Sequence, residues 1–179
     1  MSTPDWEFFL TDPDPATQPP PVPWRLRRYA MARTARALWT YRKHGWPRAY
    51  PYLQRLCPGP GAAALTAVDH GTAIRLARRE IFFAQLVARV LLPNGLCLPR
   101  SFALATYLNA IGSPAQVIVA RGKTAALPTH EFHAWTQLHG SVLNDFADVL
   151  LGYTVLQRVP TRGQPQPTAD TAGAPGESR

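Results

Sequence analysis

The spacing of apolar residues changes once along this chain, and that change limits the folds open to it. Between Trp24 and Ile111 apolar residues recur every three or four positions, as in amphipathic helices. The breaker at 112–114, Gly-Ser-Pro, follows, and from Ala115 onward short segments alternate between apolar and polar residues, as in strands. Helices that precede a run of short strands predict an α+β fold, with N-terminal helices followed by a small antiparallel sheet.

Start and stop signals set the expected bounds of these elements. Pro23 and Gly45 flank the first helix, because proline suits the start of a helix and glycine suits its end. We expect helices at residues 24–44, 51–56, 72–92 and 97–111. We expect strands at residues 115–120, 131–138, 142–146 and 153–156.

Composition divides the chain into four segments. Residues 1–23 and 161–179 are rich in Pro, Thr, Gln and Gly, which bury too little apolar surface to offset the entropy of ordering. We therefore expect a disordered tail at each end. Between the tails we expect a basic helical segment at 24–71 and a compact core at 72–160 that carries the candidate site.

The net charge of +8 is concentrated in the first helices. Between Asp14 and Asp69 there are nine Arg and Lys residues and no acidic residue. Such a field attracts an acidic peptide, an acidic protein surface, nucleic acid or anionic lipid, and the charge alone does not choose among them.

No segment of the sequence predicts secretion or membrane insertion. The start at Met1 lacks the basic and apolar regions of a secretory signal, and the apolar stretch 81–92 contains Arg89 and is too short to span a bilayer. The two cysteines, Cys57 and Cys97, lie in unlike contexts. We therefore expect a cytoplasmic protein without a disulfide.

Cys97 is the strongest candidate for a nucleophile, because it lies where a helix is predicted to begin. The first N–H groups of a helix lack internal partners and carry partial positive charge, which favours a thiolate. Backbone N–H groups near Leu96 and Leu98 could also stabilise the oxyanion of a tetrahedral intermediate. Pro99 fits the first turn, where its missing N–H costs nothing.

His133 and Asp145 are the candidate base and orienting carboxylate, since a thiol nucleophile needs both. If residues 138–140 form a three-residue hairpin loop ending at Gly140, the register places His133 directly opposite Asp145. A two-residue loop, His139-Gly140, would instead turn Asp145 to the other face of the sheet. The catalytic interpretation therefore predicts the three-residue loop.

Other interpretations of these residues remain open. Cys97 and His133 could be ordinary core residues, and Asp145 could be a turn residue. A metal site formed by His130, Glu131, His133 and Cys97 has suitable atom types, but positions 130 and 133 of one strand face opposite ways. A protein that binds nucleic acid or a scaffold through its basic helix would leave the Cys/His/Asp arrangement unexplained.

Four segments resemble the microcin-processing proteins, the B-type leader peptidases of lasso-peptide biosynthesis. Residues 94–104, Asn-Gly-Leu-Cys-Leu-Pro-Arg-Ser-Phe-Ala-Leu, are similar to the family's nucleophile helix. Residues 111–119, Ile-Gly-Ser-Pro-Ala-Gln-Val-Ile-Val, are similar to its helix stop and first strand. Phe-His-Ala-Trp at 132–135 and Gly-Ser-Val-Leu-Asn-Asp at 140–145 resemble its histidine and aspartate motifs.

The resemblance implies a papain-like or transglutaminase-like cysteine-protease fold. Cys97 would be the nucleophile, His133 the base and acid, and Asp145 the orienting group, with Trp135 flanking the site. It implies no cofactor and no metal. The implied substrate is a ribosomally made precursor peptide, whose leader is removed before a partner cyclase closes the ring. Phe132 and residues 136–137 (Thr-Gln) depart from the family's common residues beside the histidine, which affects substrate fit more than chemistry.

The resemblance also suggests partners. Some members carry an N-terminal winged-helix domain with three strands that recognises the leader, whereas residues 1–92 here show no strand pattern. This chain therefore resembles the split form, in which recognition belongs to a separate protein. As a hypothesis, Arg27, Arg28, Arg33 and Arg36 dock that protein or its bound leader; a solvated basic face is the alternative. The same three catalytic residues would also serve a transglutaminase-like acyl transferase or amidase.

Overall fold

The computed structural model describes residues 18–123 and 131–160. Six helices are described: α1 (Trp24–His44), α2 (Trp46–Gln54), α3 (Ala63–Thr66), α4 (His70–Leu91), α5 (Cys97–Ala110) and α6 (Val149–Gly152). Four strands are described: β1 (Gln116–Gly122), β2 (Phe132–Leu138), β3 (Ser141–Val142) and β4 (Tyr153–Val159). The prediction of an α+β fold, helices first and then an antiparallel sheet, is confirmed.

The helix bounds follow from local signals. Helix α1 begins after Pro23 and ends at Gly45, whose φ of 71° is reached easily only by glycine. Helix α4 begins two residues before the predicted Thr72, because the carboxylate of Asp69 accepts the Thr72 N–H at 3.0 Å and caps the helix. Helix α2 also begins earlier than predicted, at Trp46, with a proline in its first turn.

The sheet has the order β3-β2-β1-β4, and every neighbouring pair is antiparallel. Strands β1 and β2 pair from Gln116 opposite Gln137 to Arg121 opposite Phe132. Strand β4 extends to Val159, beyond the predicted end at 156, and it carries one extra residue, Leu156, at a bulge opposite β1. Helix α5 packs against β1 and β2 of this sheet.

Helix α5 is the centre of the molecule. Every residue from 101 to 110 is buried, because α1 and α4 cover it on one side and the sheet covers it on the other. Leu26 and Leu38 of α1 lie in the same apolar cluster as Leu104 of α5. The basic segment 24–71 thus contributes to the core that also holds residues 72–160.

Arg27 has a structural partner that the sequence did not reveal. Its guanidinium donates to both carboxylate oxygens of Glu80, at 3.0 and 2.7 Å, and the Tyr107 hydroxyl donates to the same carboxylate at 2.9 Å. Glu80 is fully buried. The expectation that Arg27 is a docking residue is therefore corrected, because this side chain links α1 to α4 and α5.

The predicted three-residue hairpin loop is wrong. Leu138 pairs with Ser141, so the loop contains only His139 and Gly140, with φ values of 49° and 83°. Positive φ at both positions is the geometry of a tight type I′ turn, which matches the twist of paired strands. The predicted register, with His133 directly opposite Asp145, does not occur.

Residues 18–23, which precede α1, pack against the helices. The carbonyl oxygens of Pro19 and Pro20 accept hydrogen bonds from Arg79 at 3.1 and 2.6 Å, and Val22 is buried in the core. This corrects the expected N-terminal tail at its inner end, 18–23. Residues 1–17 and the expected C-terminal tail, 161–179, lie outside the described residues.

Candidate active site

Cys97 is the first residue of α5, at the position the sequence predicted. A tight turn precedes it, in which the Gly95 N–H donates to the Leu92 carbonyl at 2.8 Å. A side chain at position 95 would place its Cβ 2.9 Å from that carbonyl oxygen, so the turn requires glycine. No side chain caps the helix at Leu96, so the N–H groups of the first turn remain available near the sulfur.

The environment of the Cys97 sulfur favours its charged form. A hydrogen bond from His133 lowers the pKa of the Cys97 thiol, burial opposes this, and backbone N–H groups of Ala134 and Leu98 lower it further. Two different elements, α5 and β2, therefore supply donors to one half-buried sulfur. This is the environment of a reactive thiol rather than of a small core residue.

His133 lies between the sulfur and a carboxylate. Its Nε2 contacts Oδ2 of Asp145, which leaves Nδ1 for the sulfur. The hydrogen bond with Cys97 raises the pKa of His133, burial lowers it, and the hydrogen bond with Asp145 raises it; together these effects bring it to about 9. The other carboxylate oxygen, Oδ1, accepts the Phe146 N–H at 2.8 Å, so the carboxylate is fixed from both sides. At neutral pH the geometry therefore favours a thiolate beside an imidazolium.

Asp145 reaches His133 although the predicted register is wrong, because β3 ends after Val142. The Leu143 N–H still donates to the Thr136 carbonyl at 3.0 Å, and then the chain leaves the ladder. The face on which Asp145 lies is consequently set by the loop after β3 and not by strand alternation.

Asn144 directs that loop, and sequence reasoning had assigned it no role. Its Oδ1 accepts the Thr136 N–H at 2.7 Å, in place of a ladder carbonyl, and its Nδ2 donates to the Ser101 hydroxyl oxygen at 3.0 Å. The Ser101 hydroxyl lies 2.9 Å from the carbonyls of Cys97 and Ala134. The Asn144–Ser101 pair thus ties the start of α5, the middle of β2 and the loop that carries Asp145.

The flanking residues named from the sequence have different surroundings. Leu96 is exposed and Leu98 is half-buried, on either side of the nucleophile position. Trp135 is fully buried, its ring centroid 6.1 Å from that of His133, and its indole Nε1 has no hydrogen-bond partner in the described structure. Tyr153, which the sequence did not single out, lies closer to His133, at 5.2 Å.

A cleft of about 780 Å³ opens at the start of α5 and contains Cys97. Residues 90–99 form one wall, and Tyr41 and Arg42 of α1 form the other. Burial and the neighbouring Cys97 raise the pKa of Tyr41, so its hydroxyl keeps its proton. Tyr41 was missed because nothing in a sequence shows that two residues 56 positions apart share a cleft.

The other three arginines named from the sequence, Arg28, Arg33 and Arg36, lie along α1. Arg28 and Arg36 are exposed, whereas Arg33 is half-buried, with its guanidinium 5.1 Å from the ring centroid of Tyr52. Within residues 18–123 and 131–160 no cluster of three His, Cys, Asp or Glu side chains could hold a metal ion. His130, one of the metal ligands weighed above, lies outside those ranges.

In the described part of the chain no helix is both long and apolar enough to cross a bilayer.

Comparison with known proteins gives the family but no individual relative. No curated protein and no solved structure matches the sequence. The family model described as "Transglutaminase-like superfamily" matches residues 30–158, which includes α1 from Ala30, the sheet up to Arg158 of β4 and all three residues of the candidate triad. Because this match covers most of the chain, the protein belongs to the transglutaminase-like superfamily.

Proposed function

We propose that this protein is a cysteine peptidase that removes the leader from a lasso-peptide precursor, with Cys97, His133 and Asp145 as its catalytic triad. The observation that carries the proposal is the contact chain from the sulfur through the imidazole to the carboxylate, at the start of an uncapped helix. The resemblance of residues 94–104, 132–135 and 140–145 to leader peptidases supports the substrate.

Acylation begins from the thiolate–imidazolium pair. The sulfur attacks the carbonyl carbon at the leader junction, a C–S bond forms, and the oxygen becomes an oxyanion held by N–H groups around Leu96–Leu98. His133 then gives its proton to the amine as the C–N bond breaks. The free N-terminus of the core peptide leaves, and the leader remains on Cys97 as a thioester.

Hydrolysis of the thioester completes the cycle. His133, now neutral, takes a proton from water while the water oxygen attacks the thioester carbon. Collapse of the second tetrahedral intermediate breaks the C–S bond and releases the leader as a carboxylic acid. The thiolate and the imidazolium are restored, and Asp145 keeps the imidazole oriented throughout. The protein's own groups supply every step, without a metal or a cofactor.

The proposed partners follow from the split organisation. Helices α1–α4 lie within residues 24–91 and no strand is described there, so we assign leader recognition to a separate winged-helix protein in the cytoplasm, and the lasso cyclase takes up the product. Docking of that recognition protein falls to Arg28, Arg33 and Arg36, since Arg27 is bound to Glu80. Charge reversal at Arg28 and Arg36 should weaken that complex and reduce its salt dependence, whereas a salt-independent complex would contradict the docking role.

Transfer of the acyl group to an amine is the second candidate function. It is favoured by the family match itself, whose description names transglutaminases, and by the chemistry of a thioester, which an amine attacks as readily as water. The acceptor is decided by what reaches the cleft beside Tyr41 and Arg42.

The test is incubation of the protein with a precursor peptide and its recognition protein, followed by mass spectrometry. Peptidase activity predicts two products whose masses sum to the precursor plus one water, and Cys97→Ala should yield neither. A product that retains the leader carbonyl joined to an added amine would establish acyl transfer instead. Cleavage that persists in Cys97→Ala would contradict both candidate functions.

A further inference from the structure

Three exposed apolar residues form a line along α4. Phe82, Leu86 and Val90 are spaced by four residues, so they share one helix face, and they are 66%, 41% and 72% exposed. We call this line the apolar stripe. Within the described residues nothing covers it, although such a row on a soluble protein ordinarily marks a docking surface.

The charge around the apolar stripe is uniformly positive. Arg78 and Arg89 are exposed beside it, and the helix's one acidic residue, Glu80, is buried against Arg27. The occupant that fits such a surface carries apolar side chains interleaved with carboxylates, since unlike charges then meet at the rim.

The chain enters the described structure at the end of this same surface. Arg79, which holds the carbonyls of Pro19 and Pro20, precedes Val90 by eleven residues, close to three helical turns, and so lies on the face of the stripe. The residues immediately before this anchor therefore start at one end of the stripe.

Residues 1–17 have the composition that the surface requires. They contain Trp6, Phe8, Phe9 and Leu10, together with four acidic residues and no Lys or Arg. The span from Arg79 to Val90 is roughly 16 Å at the helical rise. The eight residues between Leu10 and Pro19 reach up to roughly 30 Å when extended, so they are long enough for that span.

We propose that residues 1–17, the N-terminal arm, dock on the apolar stripe of their own chain, with the aromatic residues of 6–10 against Phe82, Leu86 and Val90. The tether makes this binding intramolecular, at an effective concentration of order millimolar, so modest complementarity suffices. The family match starts at residue 30, so the arm lies outside the matched residues. The inference does not depend on the chemistry proposed for Cys97.

The test places a photoreactive p-benzoylphenylalanine at Phe8 of the full chain and maps cross-links by mass spectrometry. The expected product is an intrachain cross-link to residues 78–90. Phe82→Glu should reduce its yield at least about tenfold, because a negative charge replaces an aromatic contact of the stripe and repels the acidic arm. The matched control is Leu156→Glu, another exposed apolar residue, on β4, which should leave the yield unchanged.

Each other outcome overturns the proposal. Cross-links between isotopically distinct copies would assign the stripe to a second copy of the chain. Cross-links elsewhere in the chain, none at all, or a yield unaffected by Phe82→Glu would show that the arm does not use the stripe. Should Phe82→Glu fail to fold, Arg78→Glu combined with Arg89→Glu tests the same contact through charge.

Discussion

Two side-chain clusters in this protein combine the same kinds of group, a carboxylate, a cationic side chain and a third polar group, but they serve different purposes. In the Glu80 cluster, Glu80 is fully buried between Arg27 and the hydroxyl of Tyr107. In the Cys97 cluster, Asp145 holds His133, which holds the sulfur of Cys97. Helix α5 contributes one member to each cluster, Tyr107 near its end and Cys97 at its start.

The difference lies in access and in the partner's capacity to exchange a proton. Arg27 stays charged, since its hydrogen bond with Glu80 raises a pKa that is already high, and Glu80 is closed to solvent. His133 and Asp145 keep about a fifth of their side-chain surface exposed, and Cys97 opens into a cleft. A permanent charge in a closed site fixes helices together, whereas a titratable ring in an open site can move a proton.

The largest expected effect separates the clusters by activity. Cys97→Ala should lower turnover by at least roughly 10⁴-fold, because no other group supplies the nucleophile, and should leave the melting temperature nearly unchanged. Cys57→Ser is the matched control. It should keep full activity, since Cys57 is exposed and is not one of the three candidate triad residues. Equal losses in both variants, measured by peptide cleavage, would contradict the assignment.

The next effect separates the clusters by stability. Glu80→Ala should cost about 3–5 kcal/mol of unfolding free energy, because it strands a partly buried Arg27 and removes a link among three helices. The control is Glu131→Ala, which breaks the exposed ion pair with Arg121 (2.8 Å) and should cost less than about 1 kcal/mol. Denaturant unfolding measures both values, and similar values would show that burial does not distinguish the two ion pairs.

A smaller effect tests the orienting carboxylate. Asp145→Asn should lower kcat/KM by roughly 10²-fold, since the imidazole loses its fixed orientation. The wild-type rate should fall as pH rises through about 9, the pKa of His133, because the leaving amine then finds no proton donor. Asp145→Asn should move this alkaline limb to lower pH, because it removes one group that raises that pKa. An unmoved limb would exclude Asp145 from the site.

The smallest effect tests the support behind the Cys97 cluster. Asn144→Ala should lower kcat/KM by roughly tenfold, because the loop that carries Asp145 loses its ties to Thr136 and Ser101. The alkaline limb of the pH–rate profile should shift to lower pH, because a displaced Asp145 raises the pKa of His133 less. KM should change little. Asn144→Asp retains the acceptor for the Thr136 N–H and should recover part of the loss. A normal pH profile in Asn144→Ala would show that Asp145 is held without it.

Two helix boundaries followed from local chemistry, whereas α2 began earlier than predicted and α3 was not predicted. Helix α1 has the predicted bounds, Pro23 and Gly45, because proline and glycine act on the backbone beside them. The start of α5 at Cys97 followed from the same kind of signal. Cys97, His133 and Asp145, the proposed triad, lie in contact with one another, although not through the predicted register.

The parts that failed depend on contacts between distant segments. The hairpin register was wrong because Gly140 suits both loop lengths, and the sequence does not show the bonds from Asn144 to Thr136 and Ser101 that accompany the two-residue loop. Arg27 was misassigned because its partner Glu80 lies 53 residues away and is visible only after folding. Asp145 still reaches His133 because the chain leaves the β-ladder after Val142. Strand alternation alone could not predict this departure.

The central claim is that His133 holds Cys97 as a thiolate at neutral pH, and the rate of alkylation by iodoacetamide against pH tests it directly. In a Cys57→Ser background Cys97 is the one cysteine left to be alkylated. The account predicts that alkylation persists well below the ordinary thiol range near about 8.5, and that His133→Ala moves the profile upward. A profile at the ordinary range that His133→Ala leaves unchanged would contradict it.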